Sequence, residues 1–184
     1  LAAGHAYSTL LENIDAALSV GLQYLGMSEH GPISPGGPHE FFFSNYKVIP
    51  RVYDREETTG RVIPKADGSL RLLCGVEANI CDSNGTLDLD EHYMQAMDYA
   101  LASIHPFAYT SGSRRENTLA SVRAFQNPYV KILGHPDDGR FPLDYEELVR
   151  EAKQARIALE VNNSSLNPRS VRQGGRENII ELLK

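Results

Sequence analysis

The sequence predicts an α/β fold built on a parallel β-sheet. Two observations favour it: extended and helical patterns alternate along the chain, and each extended segment is a short, nearly continuous apolar run. Runs of this kind are typical of parallel strands that helices cover on both faces. The pattern leaves open whether the sheet is an open, doubly wound one or a closed barrel.

The first helix is predicted after Ser8 or Thr9, either of which can cap it, and ends near Gly21. A short strand over residues 23–28 leads into His30. Residues 31–70 lack clear periodicity and include the aromatic run at 41–43, so they are predicted to form a long irregular excursion with a functional purpose. The second strand covers residues 71–79.

The second half of the chain repeats the alternation more regularly. Its predicted elements are a helix at 90–97, a strand at 99–105, a helix at 117–126, a strand at 131–135, an amphipathic helix at 143–156, a strand at 157–162 and a helix from 176. Strands that alternate with helices in this way indicate βαβ units.

Composition narrows the class of protein. The 184 residues are 41% hydrophobic and 23% charged, which indicates one soluble globular domain. No apolar stretch approaches the roughly 18 residues of a membrane helix, and no signal-peptide pattern opens the chain. The net charge of -6, without a long basic run, disfavours nucleic acid as a partner. Two cysteines, Cys74 and Cys81, fit a reducing cytoplasm, and the oligomeric state stays open.

Four successive strands end on residues that commonly bind metals. These residues are His30, Glu77, His105 and His135. Ligands of α/β folds bind at the carboxyl ends of the strands, and a Pro after each of the three histidines, directly or after one Gly, turns the imidazole toward that edge. Imidazoles with a carboxylate suit Zn²⁺, Mn²⁺ or iron, and paired ions of this kind activate water for phosphoryl transfer.

Six stretches of the sequence resemble a known family. They are Gly-His-Ala-Tyr-Ser-Thr at 4–9, Ser-Glu-His-Gly-Pro at 28–32, Gly-Val-Glu-Ala-Asn-Ile at 75–80, Ile-His-Pro at 104–106, Gly-His-Pro at 134–136 and Leu-Glu-Val-Asn-Asn-Ser-Ser at 159–165. Their order and content resemble the PHP (polymerase and histidinol phosphatase) superfamily, specifically its small bacterial phosphatases. The six stretches together span nearly the whole chain.

The resemblance implies a distorted (β/α)7 barrel with two to three divalent ions at the carboxyl ends of its strands, zinc being favoured over manganese or iron. It implies that Glu77 bridges ions, that His105 and His135 bind the ion sharing it, and that His5 and His30 bind a further ion. Glu77, His105 and His135 are then the catalytic residues. The implied reaction is hydrolysis of small phosphate monoesters by a metal-bridging hydroxide.

The chain also departs from the family pattern. The family carries His-x-His on a strand before the position of Leu1 and Asp-x-His on a strand beyond Lys184, and neither pair is present. We therefore expect residues 1–184 to be a single PHP-like domain truncated at both ends, without its first and last strands.

Two arginines and two alternative functions complete the sequence predictions. Arg140 and Arg172 follow strand-end motifs and are candidates to bind the phosphate, which guanidinium suits. One alternative function is a non-catalytic or structural metal-binding PHP domain of a larger protein. The other is a metal-dependent amidohydrolase, although the ligand Lys or catalytic Asp usual in that class is not evident.

Overall fold

The structure, a computed structural model, describes residues 7–167 and 174–184. Its centre is a seven-stranded sheet in the order β3-β2-β4-β5-β6-β7, with β1 also paired to β4. The strands are β1 Tyr24–His30, β2 Val52–Arg55, β3 Val62–Pro64, β4 Leu70–Asn79, β5 Tyr99–Ser103, β6 Val130–Leu133 and β7 Ala158–Leu159. The α/β prediction is confirmed.

In the part of the chain that the structure describes, five α-helices and two 3₁₀ helices connect and cover the strands. The α-helices are α1 Leu10–Ser19, α2 Glu91–Met94, α3 Arg114–Ala124, α4 Tyr145–Ala155 and α5 Gly175–Leu182, and the 3₁₀ helices are Glu40–Lys47 and Asn163–Leu166. Thr9 caps α1 through a reciprocal capping box with Glu12, and Ser113 caps α3 in the same way with Glu116. The second cap explains why α3 begins three residues before the predicted start at 117.

The sheet is mixed, so the prediction of an all-parallel sheet is wrong in part. Strands β1, β4, β5, β6 and β7 are parallel, whereas β2 and β3 form an antiparallel hairpin that joins β4 at its start. These two strands are four and three residues long, too short for a period-two pattern to stand out in the sequence. The hairpin is nevertheless anchored, because Tyr53 is buried and Arg55 lies 2.6 Å from Asp15 of α1.

The region 31–70 is therefore more regular than predicted. Its first part forms the 3₁₀ helix Glu40–Lys47, which buries Phe43 and Tyr46 against each other edge to face at 5.7 Å between ring centroids. Its second part is the β2–β3 hairpin. The aromatic run thus mainly supplies core contacts, although Phe41 remains exposed.

The core surrounds β4, whose side chains are buried along both faces of the strand. This burial explains the continuous apolar run in its sequence. Among the described residues the sheet does not close into a ring, because β3 and β7 each pair with one neighbour. No helix in residues 7–167 or 174–184 has the length and apolar character that crossing a membrane requires.

Candidate metal centre

The carboxyl ends of adjacent parallel strands bring the predicted ligand residues to one edge of the sheet. His30, the last residue of β1, lies directly opposite Glu77 of β4 in the strand register. His105 and His135 each come two residues after the end of their strand, β5 and β6 respectively. The four side chains therefore converge because the strands are parallel and neighbouring.

Three of these residues form a compact cluster. The Nε2 atoms of His105 and His135 are 3.1 Å apart, and they lie 3.6 Å and 3.2 Å from Oε1 of Glu77. Within the described chain, these residues are the one group of three whose ligand atoms all lie within 4.8 Å of one another.

These distances fit a metal ion. A tetrahedral Zn²⁺ with ligands at about 2.0–2.1 Å separates its ligand atoms by about 3.3–3.4 Å. The three observed separations, 3.1, 3.2 and 3.6 Å, bracket that value. Two imidazoles and a carboxylate are also a donor set that Zn²⁺, Mn²⁺ and iron accept. The described residues could therefore hold one divalent ion with little rearrangement.

Glu77 is held in its anionic form. Burial alone would raise the pKa of its carboxyl group, but a hydrogen bond from His135, the charges of His135 and His105, and a hydrogen bond from Ser103 lower that pKa to about 2. The Ser103 hydroxyl donates to Oε1 at 3.0 Å. The cluster thus presents a charged carboxylate at neutral pH, the form a cation requires.

Gly134 keeps this contact possible. A Cβ atom at residue 134 would collide with Oγ of Ser103 and would lie 3.6 Å from Oε1 of Glu77. The residue before His135 must therefore be glycine if Ser103 is to reach Glu77.

His135 has an unusual backbone that one acidic side chain supports. Its φ is +29°, a conformation that costs non-glycine residues about 1–3 kcal/mol and that persists only where neighbouring contacts enforce it. The His135 backbone N–H donates to Oε2 of Glu160 at 2.6 Å, and Asn162 donates its amide to Oε1 of the same carboxylate at 3.2 Å. Glu160 therefore fixes the turn that aims the imidazole at Glu77.

His105 is oriented by a polar chain behind it. Its Nδ1 atom lies 2.8 Å from Oδ1 of Asn79, and Nδ2 of Asn79 donates to Asp88 at 2.6 Å. Phe107 stacks on the imidazole with 5.1 Å between ring centroids and 9° between planes. These contacts point Nε2 of His105 toward Glu77 and His135.

Known proteins match the chain along nearly all of its length. A probable phosphatase of Clostridium novyi is 40% identical over the whole chain, which covers 69% of that protein. A probable phosphatase of Clostridium botulinum strain Langeland is 41% identical over 90% of the chain and 62% of its own length. One from Thermoanaerobacter sp. strain X514 is 38% identical over the whole chain and 69% of its length. This chain belongs to that probable phosphatase family. It spans between 62% and 69% of these relatives, and no protein-family model matches it.

Membership of the probable phosphatase family gives the cluster a context but assigns no residue. Of the five predicted ligands, the structure brings Glu77, His105 and His135 together. His30 lies at the same edge, with Nε2 3.6 Å from the other oxygen of Glu77, Oε2. His5 lies outside the described residues.

Of the two arginines predicted to bind phosphate, Arg140 lies among the described residues and Arg172 does not. The guanidinium of Arg140 is bound to the buried carboxylate of Asp138, at 2.6 Å from Nη2 and 2.9 Å from Nε, and lies over the ring of Phe141. Its side chain keeps 31% of its surface exposed, so it anchors a loop beside the cluster and also faces solvent.

Sequence reasoning missed the residues that support the ligands. Ser103, Asn79, Asp88 and Glu160 are not among the predicted site residues. A spacing signal existed for two of them, since Asn79 lies two residues after Glu77 and Ser103 two residues before His105. Residues two apart on a strand share a face.

Proposed function

We propose that this chain carries the metal site of a phosphatase that hydrolyses small phosphate monoesters. The observation that carries the proposal is the cluster of Glu77, His105 and His135 at the carboxyl ends of β4, β5 and β6. The names of its relatives favour phosphate esters over amides as substrates.

In this proposal Glu77, His105 and His135 hold one divalent ion, with zinc favoured over manganese or iron. Oε1 of Glu77 faces the two histidines and Oε2 faces His30, so the carboxylate can serve two ions at once. His30, together with His5, would hold a further ion. When bound, the two to three ions would supply positive charge to the phosphoryl oxygens and would lower the pKa of water at the site.

The protein's own groups prepare this chemistry. Ser103 and the two imidazoles keep Glu77 ionised, so no proton must leave the carboxylate before a cation binds. Glu160 and Asn79 hold the backbone of one histidine and the ring of the other. The phosphate ester would then meet a preorganised charge, which is the main source of rate in phosphoryl transfer.

The wider assignments belong to the same proposal. We propose that the fold is the PHP type of barrel, completed by strands outside this chain. Arg140 and Arg172 are the proposed contacts to the phosphate group. For Arg140 this requires the exposed part of the guanidinium to contact the ester while the rest of the group stays bound to the carboxylate of Asp138.

Hydrolysis of a chromogenic phosphate ester by the full-length protein tests the proposal. We expect metal-dependent turnover that a chelator removes and Zn²⁺ or Mn²⁺ restores, and we expect His105→Ala and Glu77→Ala to abolish it. His92→Ala, which changes an exposed histidine of α2, is the matched control and should retain full activity. Undiminished turnover in His105→Ala, or fewer than two bound ions in the full-length protein, would contradict the mechanism.

A further inference from the structure

We propose that Asp88 is a positioning residue that sets the tautomer of His105 through the side-chain amide of Asn79. The tautomer decides which imidazole nitrogen carries a lone pair and can bind a cation. The consequence for ion binding rests on the proposed function, whereas the tautomer itself is a property of the metal-free protein.

The amide of Asn79 has only one orientation that satisfies its neighbours. Its side chain is fully buried, so water cannot replace a lost partner. One side of the amide lies 2.6 Å from Oδ2 of Asp88 and 3.1 Å from Oγ of Ser34, and the other side lies 2.8 Å from Nδ1 of His105. A carboxylate only accepts hydrogen bonds, so the NH₂ group must face Asp88 and the carbonyl oxygen must face His105.

This orientation dictates the proton position on His105. A carbonyl oxygen only accepts, so Nδ1 of His105 must carry the hydrogen that points at Asn79. In the neutral imidazole the lone pair then lies on Nε2, the atom that faces Glu77 and His135. Asp88 accepts from the amide of Asn79, and that amide in turn accepts from Nδ1 of His105. As a result, the lone pair of the His105 ring lies on Nε2.

Local structure places Asp88 opposite Asn79, because the backbone N–H of Asp88 donates to the carbonyl oxygen of Asn79 at 3.1 Å. Residues Ile80 and Leu87 form an antiparallel bridge, which returns the chain beside the end of β4. Oδ1 of Asp88 accepts from the backbone N–H of Asn79 at 2.7 Å, and Oδ2 also accepts from the N–H of Ile33 at 3.0 Å. The same carboxylate therefore holds the loop that follows His30.

Asp88→Asn changes this pattern in a defined way. The new amide must choose which backbone N–H keeps its acceptor, and we expect its oxygen to stay at the 2.7 Å contact with the N–H of fully buried Asn79. The N–H of Ile33 then loses its acceptor, but Ile33 is exposed, so water can replace the lost partner. The NH₂ group of the new amide therefore faces the side chain of Asn79. The Asn79 amide then turns over to accept, and its own NH₂ group faces Nδ1 of His105. Nδ1 must accept, the hydrogen moves to Nε2, and the lone pair needed for an ion is lost from that atom.

The test uses ¹⁵N-histidine-labelled, metal-free, full-length protein at about pH 9, where free imidazole is neutral. Nitrogen chemical shifts report which ring nitrogen of His105 carries the hydrogen. We expect Nδ1–H in the natural protein and Nε2–H in Asp88→Asn. Asp90→Asn is the matched control, since Asp90 is exposed, caps α2 and can be replaced by Asn, an equally good cap.

Calorimetric titration with Zn²⁺ alone gives the second readout. We expect Asp88→Asn to bind Zn²⁺ about 10–100-fold more weakly at this site and Asp90→Asn to match the natural protein. Nε2–H on His105 in the natural protein would overturn the inference without any variant, as would an unchanged tautomer in folded Asp88→Asn. Absence of Zn²⁺ binding by the natural protein would instead contradict the proposed function.

Discussion

The contact between Glu160 and the backbone of His135 gives a quantitative prediction. In Glu160→Ala the His135 N–H, in a residue with 4% of its surface exposed, loses a carboxylate acceptor at 2.6 Å. Hydrogen bonds to charged groups contribute about 1.5–3 kcal/mol, and this one also offsets the backbone strain at φ +29°. We therefore expect the free energy of unfolding to fall by about 1.5–3 kcal/mol in Glu160→Ala.

Glu160→Gln separates the charge from the hydrogen bond. Its amide oxygen can still accept from His135, but neutral hydrogen bonds are about half as strong, so we expect a loss of about 1 kcal/mol. Urea denaturation of the metal-free, full-length protein measures both values, and Glu57→Ala, which changes an exposed turn residue, should stay within about 0.5 kcal/mol of the natural protein.

The same variants should also bind ions differently. We expect Glu160→Ala to lower the affinity for Zn²⁺ by about 10–100-fold, because the imidazole of His135 is no longer aimed at Glu77. Unchanged stability and unchanged affinity in Glu160→Ala would refute the role assigned to this carboxylate.

Three further predictions concern the groups around the cluster. Gly134→Ala should displace Ser103 from Glu77 and weaken Zn²⁺ binding in calorimetry, and equal affinity would contradict the packing argument. Because the pKa of Glu77 is lowered to about 2, its ionised form stabilises the fold above about pH 4.5, and this contribution is lost as the pH falls toward 2. The urea midpoint of metal-free Glu77→Gln should therefore fall less steeply with decreasing pH over that range than the midpoint of the natural protein. Equal pH dependence of the two midpoints would contradict the lowered pKa of Glu77. Arg140→Ala should cost about 1.5–3 kcal/mol of unfolding free energy by depriving buried Asp138 of its guanidinium, whereas a purely substrate-binding arginine would leave thermal stability unchanged.

The sequence predicted the parallel part of the fold well, for a physical reason. Strand β4 is buried on both faces, so nearly every position must be apolar and the run is visible without a structure. The hairpin β2–β3 was missed because its strands are short and it is held by contacts distant in sequence, such as that of Arg55 with Asp15. Contacts of this kind leave no local periodicity.

The residues of the candidate site likewise fall into those that the sequence could predict and those that it could not. Residues such as Glu77 and His105 could be proposed because parallel strands bring their carboxyl ends together. Asp88 and Glu160 could not, because each acts on a partner reached only after the chain has folded. The positive φ of His135, which follows β6, likewise depends on Glu160, which follows β7.

A crystal of the full-length protein grown with Zn²⁺ tests the central claim most directly. Anomalous diffraction at the zinc edge should show an ion within about 2.0–2.2 Å of Oε1 of Glu77, Nε2 of His105 and Nε2 of His135. Zinc bound elsewhere, with these three atoms unliganded, would contradict the account.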